Sequence, residues 1–204
     1  MQSGGDRSPR RGLGTDFASV LESARAGRPE AWDRVYRALA PAVTGYLRMQ
    51  GAAEPDDLAS EVFLGVFRGI SKFAGDEAAF RSWVFVIAHR RLQDERRRRF
   101  RRLRTVSDEL AGSTPVARSA EEDALRELAT DRVRTVCARL APDQRDVVLL
   151  RILGDLTVEQ VAEVLGKSLG AVKQLQRRGL EAIRRLSAET DPPRRISRPE
   201  GIPL

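Results

Sequence analysis

The sequence predicts an all-α protein: two small helical domains joined by a flexible acidic linker, the second containing a helix-turn-helix. Three observations carry this. Apolar residues recur at helical spacing through most of the 204 residues. No segment alternates apolar and polar residues as a half-buried strand does. Between the periodic stretches, residues 105–124 collect Gly112, Ser113, Thr114, Pro115 and a run of acids, a composition too poor in apolar side chains to order itself. The division that follows is a disordered tail over 1–14, a helical domain over 15–104, the linker 105–124, a second domain over 125–188 and a disordered Pro/Arg tail over 189–204.

In the first domain, Phe17–Ala26 ends at Gly27-Arg28-Pro29, Glu30–Leu39 ends at Pro41, and a further helix covers Ala42–Gln50. Pro55-Asp56-Asp57 opens the next helix, along which Leu58, Val62, Val66, Phe67 and Ile70 recur as an inward stripe. Ser71–Ala79 contains Gly75 and reads as a loop. Phe80, Trp83, Val84, Ile87 and Leu92 then line one face of a helix that runs into an arginine tract. The second domain has helices over Leu125–Leu140 and Pro142–Leu153, then two short elements around Gly166. Thr157 and Gln160 fit a capping box, T-x-x-Q. Val161, Ala162 and Leu165 face inward, Gly166 supplies a left-handed turn, and Ser168 caps a helix with Val172, Leu175 and Ile183 inside. Small Ala162, Gly166 four later and branched Val172 six after that give the helix-turn-helix spacing. Ser168, Leu169, Lys173, Gln174, Arg177 and Arg178 are left facing outward, where such a helix reads a major groove and its flanking phosphates.

Charge is unevenly placed. From His89 to Arg104 there are nine arginines against Asp94 and Glu95, which equals the whole net charge of +7. Gly51–Leu64 carries Glu54, Asp56, Asp57 and Glu61 with no basic residue, and Val106–Asp131 carries seven acids against Arg118 and Arg126. Lys167–Arg185 is basic again, with six positive charges against Glu181. Arginine suits phosphate because its planar fork donates parallel hydrogen bonds, so the tract points to nucleic acid. All eleven aromatic residues precede residue 101. Unstacked bases held on aromatic faces therefore belong to the first domain, and the second can read only intact duplex or bind protein.

The same counts exclude other classes. One cysteine, Cys137, rules out a disulfide framework and any multi-cysteine metal site, and one histidine, His89, leaves no second histidine for a His-based metal site. No metal or cofactor is expected. Asp56, Asp57 and Glu61 could be read as a metal-dependent nuclease site, but no further acidic cluster or histidine completes one. No apolar run approaches the ~18 residues of a membrane span, and Met1–Gly14 lacks the apolar core of a secretory signal. The expectation is a cytoplasmic protein that is not an enzyme.

Two ordered blocks resemble the bacterial extracytoplasmic-function (ECF) sigma factors, within the housekeeping-like sigma family, over roughly residues 16–187. Pro55-Asp56-Asp57-Leu58-Ala59-Ser60-Glu61-Val62-Phe63 is similar to D-L-x-Q-E-x-F, and Phe80-Arg81-Ser82-Trp83-Val84-Phe85-Val86-Ile87-Ala88 to F-x-x-W-L-x-x-I-A. Asp94 and Arg97 match D-x-x-R, and Asp143–Val147 with Leu165–Lys173 fit the family's −35-reading helix-turn-helix. The resemblance implies promoter-specific initiation with core RNA polymerase and promoter DNA as partners. Asp56, Asp57, Leu58, Glu61 and Phe63 would meet the clamp helices of the largest subunit, and the flap would meet the second domain. Phe73, Phe80, Trp83, His89, Arg90, Arg91, Arg97 and Arg98 would hold melted −10 DNA. Ser168, Leu169, Lys173, Gln174, Arg177 and Arg178 would read −35 duplex. The resemblance also makes an anti-sigma protein a candidate partner. Arg90 stands where the family commonly has Asn, Ser60 where it often has Gln, and Gln174-Leu175-Gln176 where S-R-L is frequent. The alternative is a helix-turn-helix regulator that works without polymerase.

Overall fold

A computed structural model of the chain describes residues 13, 16–105 and 131–190. The linker from 106 onward, the expected start of the second domain up to 130 and the tail from 191 lie outside the described residues. Among the described residues every regular element is helical. The first domain comprises α1 (Phe17–Arg25), α2 (Pro29–Met49), α3 (Pro55–Gly69), a 3-10 turn (Ile70–Lys72) and α4 (Glu77–Thr105). The second comprises a helical stretch over 131–138 (α5), then α6 (Pro142–Ile152), α7 (Val158–Leu165) and α8 (Leu169–Thr190).

The apolar stripes explain the packing. In the first domain Val35, Val43, Tyr46 and Leu47 of α2 meet Val62 and Val66 of α3 and Phe80, Val84, Phe85 and Leu92 of α4, all buried. Tyr46 and Phe85 meet edge to face, with ring centroids 5.7 Å apart. In the second, Val147 and Leu150 of α6, Leu156, Val161 of α7 and Val172 of α8 close a smaller core. The two cores are continuous, because α7 packs on α4 and α6 packs on the end of α2.

Three elements differ from the sequence expectation. Pro41 does not divide α2, which runs unbroken over 21 residues. Pro41 is exposed, so water can satisfy the carbonyl left without its N–H partner, while buried Leu39, Ala40 and Val43 hold both flanks in place. The loop after α3 is shorter than predicted. Lys72 is still in the 3-10 turn, and Asp76 Oδ1 accepts from Ala79 N at 2.8 Å, starting α4 at Glu77. The last element is also long rather than short: α8 extends for 22 residues, because good helix formers follow Gly179 and Leu186 is buried.

Candidate nucleic-acid and polymerase interfaces

The helix-turn-helix forms by local rules. Thr157 Oγ1 accepts from Gln160 N at 3.2 Å, and Gln160 Oε1 accepts from Thr157 N at 2.9 Å, closing the capping box. Gly166 ends α7 at φ 62°, a left-handed conformation that costs a side-chain-bearing residue energy. Ser168 Oγ then accepts from Ala171 N at 3.3 Å. Val161 and Val172 are fully buried, so α8 is held against α7 by its inward stripe. Ser168, Leu169, Lys173, Gln174, Arg177 and Arg178 are outward-facing, each exposed or half-buried. Lys173 and Arg177 lie one turn apart, as do Gln174 and Arg178, giving two adjacent polar rows on one face. Arg177 also pairs with Glu181 at 3.2 Å, a surface contact that a phosphate can displace. Thr157→Ala removes the cap and should lower stability by about 1 kcal/mol. A thermal melt of the full chain checks this.

The first domain places an aromatic cluster beside the 73–76 loop. Phe73 meets Phe80 edge to face at 5.1 Å and Trp83 at 5.2 Å between centroids, and Phe17 meets Phe80 at 5.6 Å. The Arg25 guanidinium ties the segment down by donating to the carbonyls of Ile70 and Phe73. Phe73 and Trp83 keep partly exposed rings. Phe80 does not: at 1% exposure it is a core residue that props the other two rings, and its expected direct base contact is corrected accordingly. The edge of Trp83 also packs on α3, where a Cβ on Gly69 would lie 2.8 Å from the indole. Gly69→Ala should therefore push Trp83 outward at a cost of about 1–3 kcal/mol, read as a lower melting temperature and changed tryptophan fluorescence.

Along α4, Arg90, Arg97 and Arg98 are exposed, and the Arg97 side chain pairs with neighbouring Asp94 at 3.5 Å. Arg91 leans on Glu61 of α3 at 3.8 Å. His89 turns inward, with Nδ1 2.9 Å from the Tyr46 hydroxyl and Nε2 3.4 Å from Gln93 Nε2, so it does not face outward with the arginines. Burial holds its pKa below the ordinary value, with nearby Asp146 opposing and Arg96 adding to the effect.

On α3, Asp56 and Asp57 stand in the first turn, and half-buried Glu61 continues the same face one turn on from Asp57. Leu58 and Phe63 are buried, at 5% and 8% exposure, which corrects their expected contact with the clamp helices: they position the helix rather than present themselves. Phe67, expected inside, is 55% exposed, beside Leu64 at 54%. Phe67 meets Trp32 in a tilted contact at 4.9 Å between centroids, and Phe63 meets the 47%-exposed Tyr36 likewise at 4.8 Å. The outward face of α2–α3 is thus acidic at one end and aromatic at the other. Of the aromatic part, only Phe63 is assigned to the clamp contact from sequence, although Leu64 and Phe67 continue an apolar row from it beside the core stripe.

No helix among the described residues is long and apolar enough to cross a membrane, and no cluster of three His, Cys, Asp or Glu among them could hold a metal ion.

Residues 35–102 match the family described as Sigma-70 region 2, and residues 138–185 match Sigma-70, region 4. The chain is 34% identical over 169 residues to the ECF RNA polymerase sigma factor BldN of Streptomyces coelicolor, a match covering 82% of this chain and 64% of that protein. It is 30% identical over 137 residues to the ECF RNA polymerase sigma factor ShbA of Streptomyces griseus, covering 66% of this chain and 72% of that one. Among solved structures, CnrH in complex with the cytosolic domain of CnrY shares the fold at a TM-score of 0.61 and 20% identity, covering 86% of this chain and 99% of that one. RpoE bound to the anti-sigma factor NepR from Bartonella quintana shares it at 0.52 and 17% identity, covering 84% and 94%. Both domains, in this order, carry the match, and the chain belongs to the ECF sigma factor family.

Proposed function

We propose that this chain is a sigma subunit that binds core RNA polymerase and directs promoter-specific transcription initiation, reading −35 duplex with α8 and holding melted −10 DNA with the 73–76 loop and α4. The observation that carries this is the combination of two unlike surfaces on one chain. The outward rows of α8 suit duplex DNA, whereas the acidic and aromatic face of α2–α3 suits a basic, partly apolar protein surface. A DNA-binding regulator that works without polymerase gives the second surface no purpose.

At residue level, Asp56, Asp57 and Glu61, joined by Leu64, Phe67 and Tyr36, would meet the clamp helices, and the second domain would meet the flap. Phe73 and Trp83 would stack on unpaired bases, with Arg90, Arg91, Arg97 and Arg98 on the backbone. Ser168, Leu169, Lys173, Gln174, Arg177 and Arg178 would contact −35 duplex. Membership of the housekeeping-like sigma family, a cytoplasmic location and the absence of catalysis belong to the same reading. CnrH and RpoE are each held by a second protein in their solved complexes, and an anti-sigma protein is accordingly a candidate partner here.

Purified core enzyme plus this chain should start transcription at defined sites on a genomic template pool. Failure to bind core and to initiate anywhere would overturn the reading, and dimeric binding to a palindrome without polymerase would favour the regulator. Lys173→Ala with Arg177→Ala should weaken holoenzyme binding to −35-containing promoters and reduce the salt slope of log K by about 1 for each phosphate no longer neutralised. Titration at several salt concentrations reads that slope.

A further inference from the structure

We infer that the free chain holds itself in a closed state through a polar latch between its two domains, and that this latch must open before promoter DNA is engaged. The consequence for initiation rests on the function proposed above; the latch itself does not.

The latch centres on Gln50, the residue that ends α2. It is 3% exposed, and its side chain is engaged at both ends. Arg96 Nη2 of α4 donates to the Gln50 carbonyl at 2.8 Å and to Gln50 Oε1 at 2.9 Å. That fixes the amide so that Nε2 points to the second domain, where it donates to Asp146 Oδ1 of α6 at 2.6 Å. Asp146 is 6% exposed, and its carboxylate takes this hydrogen bond from across the domain boundary. A buried carboxylate needs such a partner, and here the first domain supplies it. Beside it, the buried Tyr46 hydroxyl and half-buried His89 continue the polar row; burial pushes the Tyr46 pKa up, with Asp146 adding to the effect, and holds the His89 pKa down, with Asp146 opposing.

A second clasp lies at the start of α4. Gln160, whose Oε1 serves the capping box, uses Nε2 to donate to the carbonyl of Ala78 at 3.0 Å. Ala78, in the first turn of α4, and Arg96, two-thirds of the way along it, lie about 27 Å apart at 1.5 Å per residue. The clasps therefore fix both position and angle, with Val164 buried one turn along α7 from Gln160 and Leu153 brought beside Gly45 of α2.

In this arrangement the first helix of the helix-turn-helix sits on the start of α4, next to the 73–76 loop. Promoter elements centred at −35 and −10 are separated by about 25 base pairs, roughly 85 Å of B-form DNA at 3.4 Å per pair. With α7 held on α4, the two reading surfaces cannot reach both elements, so the closed state excludes simultaneous engagement. Opening exposes Gln50, Arg96 and Asp146 to water, which can satisfy each of them. Polymerase or promoter then draws on the minor open population, and the apparent affinity carries that fraction as a penalty.

The test is a double-mutant cycle on Gln50→Ala and Asp146→Ala in the full chain, neither residue belonging to a proposed DNA or polymerase contact. Small-angle X-ray scattering of the free protein reads the latch without reference to function. The parent should scatter as one compact body, and each single variant should give a larger radius of gyration. Core affinity and initiation should rise about tenfold or more if the open state is populated at about 10% or less. The double variant should match the singles, because both substitutions break the same hydrogen bond. Circular dichroism melts separate opening from unfolding, since opening leaves helix content intact. A parent that already scatters as two separated bodies, or variants that leave scattering unchanged, would overturn the latch. So would additive losses of helix content in the double variant. If no variant, parent included, initiates transcription, the functional proposal fails while the scattering still judges the latch.

Discussion

Replacing Gly154 with alanine should strongly destabilise the helix-turn-helix domain while leaving the first domain intact. Gly154 is buried in the turn between α6 and α7, and a Cβ there would lie 2.5 Å from the carbonyl oxygen of Leu150 and 3.2 Å from Leu156. The obstructing atom is backbone. It also accepts the turn's own hydrogen bond from Leu156 N at 3.3 Å, so it cannot retreat without undoing the turn. Overpacking of this kind costs about 1–3 kcal/mol and sometimes more. The described part of this domain is a short stretch, residues 131–190, and a domain of some 60 residues holds only about 3–9 kcal/mol in total. The substitution thus removes much of what is available, and a shift on the order of 10 °C or more in melting temperature should follow.

The functional signature is separable from the thermal one. With α8 displaced in part of the population, promoter binding that depends on the −35 element should weaken. Polymerase binding through α3 should persist, because Val43, Tyr46, Val62 and Phe85 form a core that does not need the second domain. Differential scanning calorimetry and a core-binding titration on one preparation check both parts. A melting profile superimposable on the parent would show that the turn has room for a side chain.

What was legible in the sequence was what depends on near neighbours. Thr157 and Gln160, three residues apart, announced the capping box, and Gly166 announced the turn, because each motif is closed by hydrogen bonds within a few residues. The outward face of α8 followed from helical geometry alone. What was not legible depended on meetings between distant segments. Phe80 and Trp83 share one helix and the same aromatic character, and only the approach of Phe17 and Phe73 decides which ring is covered. Pro41 carries a strong local preference against helix, which the buried residues beside it override. Gln50 and Asp146 look like surface residues in any window of sequence. They are 96 positions apart, and their burial arises only when the domains meet.

Reversing the charge of the outer α3 face should have the second large effect, this time on polymerase binding. In Asp57→Lys with Glu61→Lys, two acids one turn apart become bases. Against a basic partner, like-charge juxtaposition costs several kcal/mol, which corresponds to a drop of about a hundredfold or more in affinity. The cost to folding is smaller and separately measurable. Asp57 gives up a favourable position at a helix N-terminus, worth about 0.3–1 kcal/mol, and Glu61 gives up its 3.8 Å pairing with Arg91 at the surface. Salt dependence then identifies the cause. The parent's affinity should fall as salt is raised, whereas the reversed variant should recover part of its deficit, because screening weakens attraction in one and repulsion in the other. Leu64→Ser with Phe67→Ser removes exposed apolar area from the same helix without changing charge. Its deficit should be nearly independent of salt, as expected for burial of apolar surface. Equal salt slopes for the parent and the charge-reversed variant would show that core polymerase is gripped elsewhere on the chain.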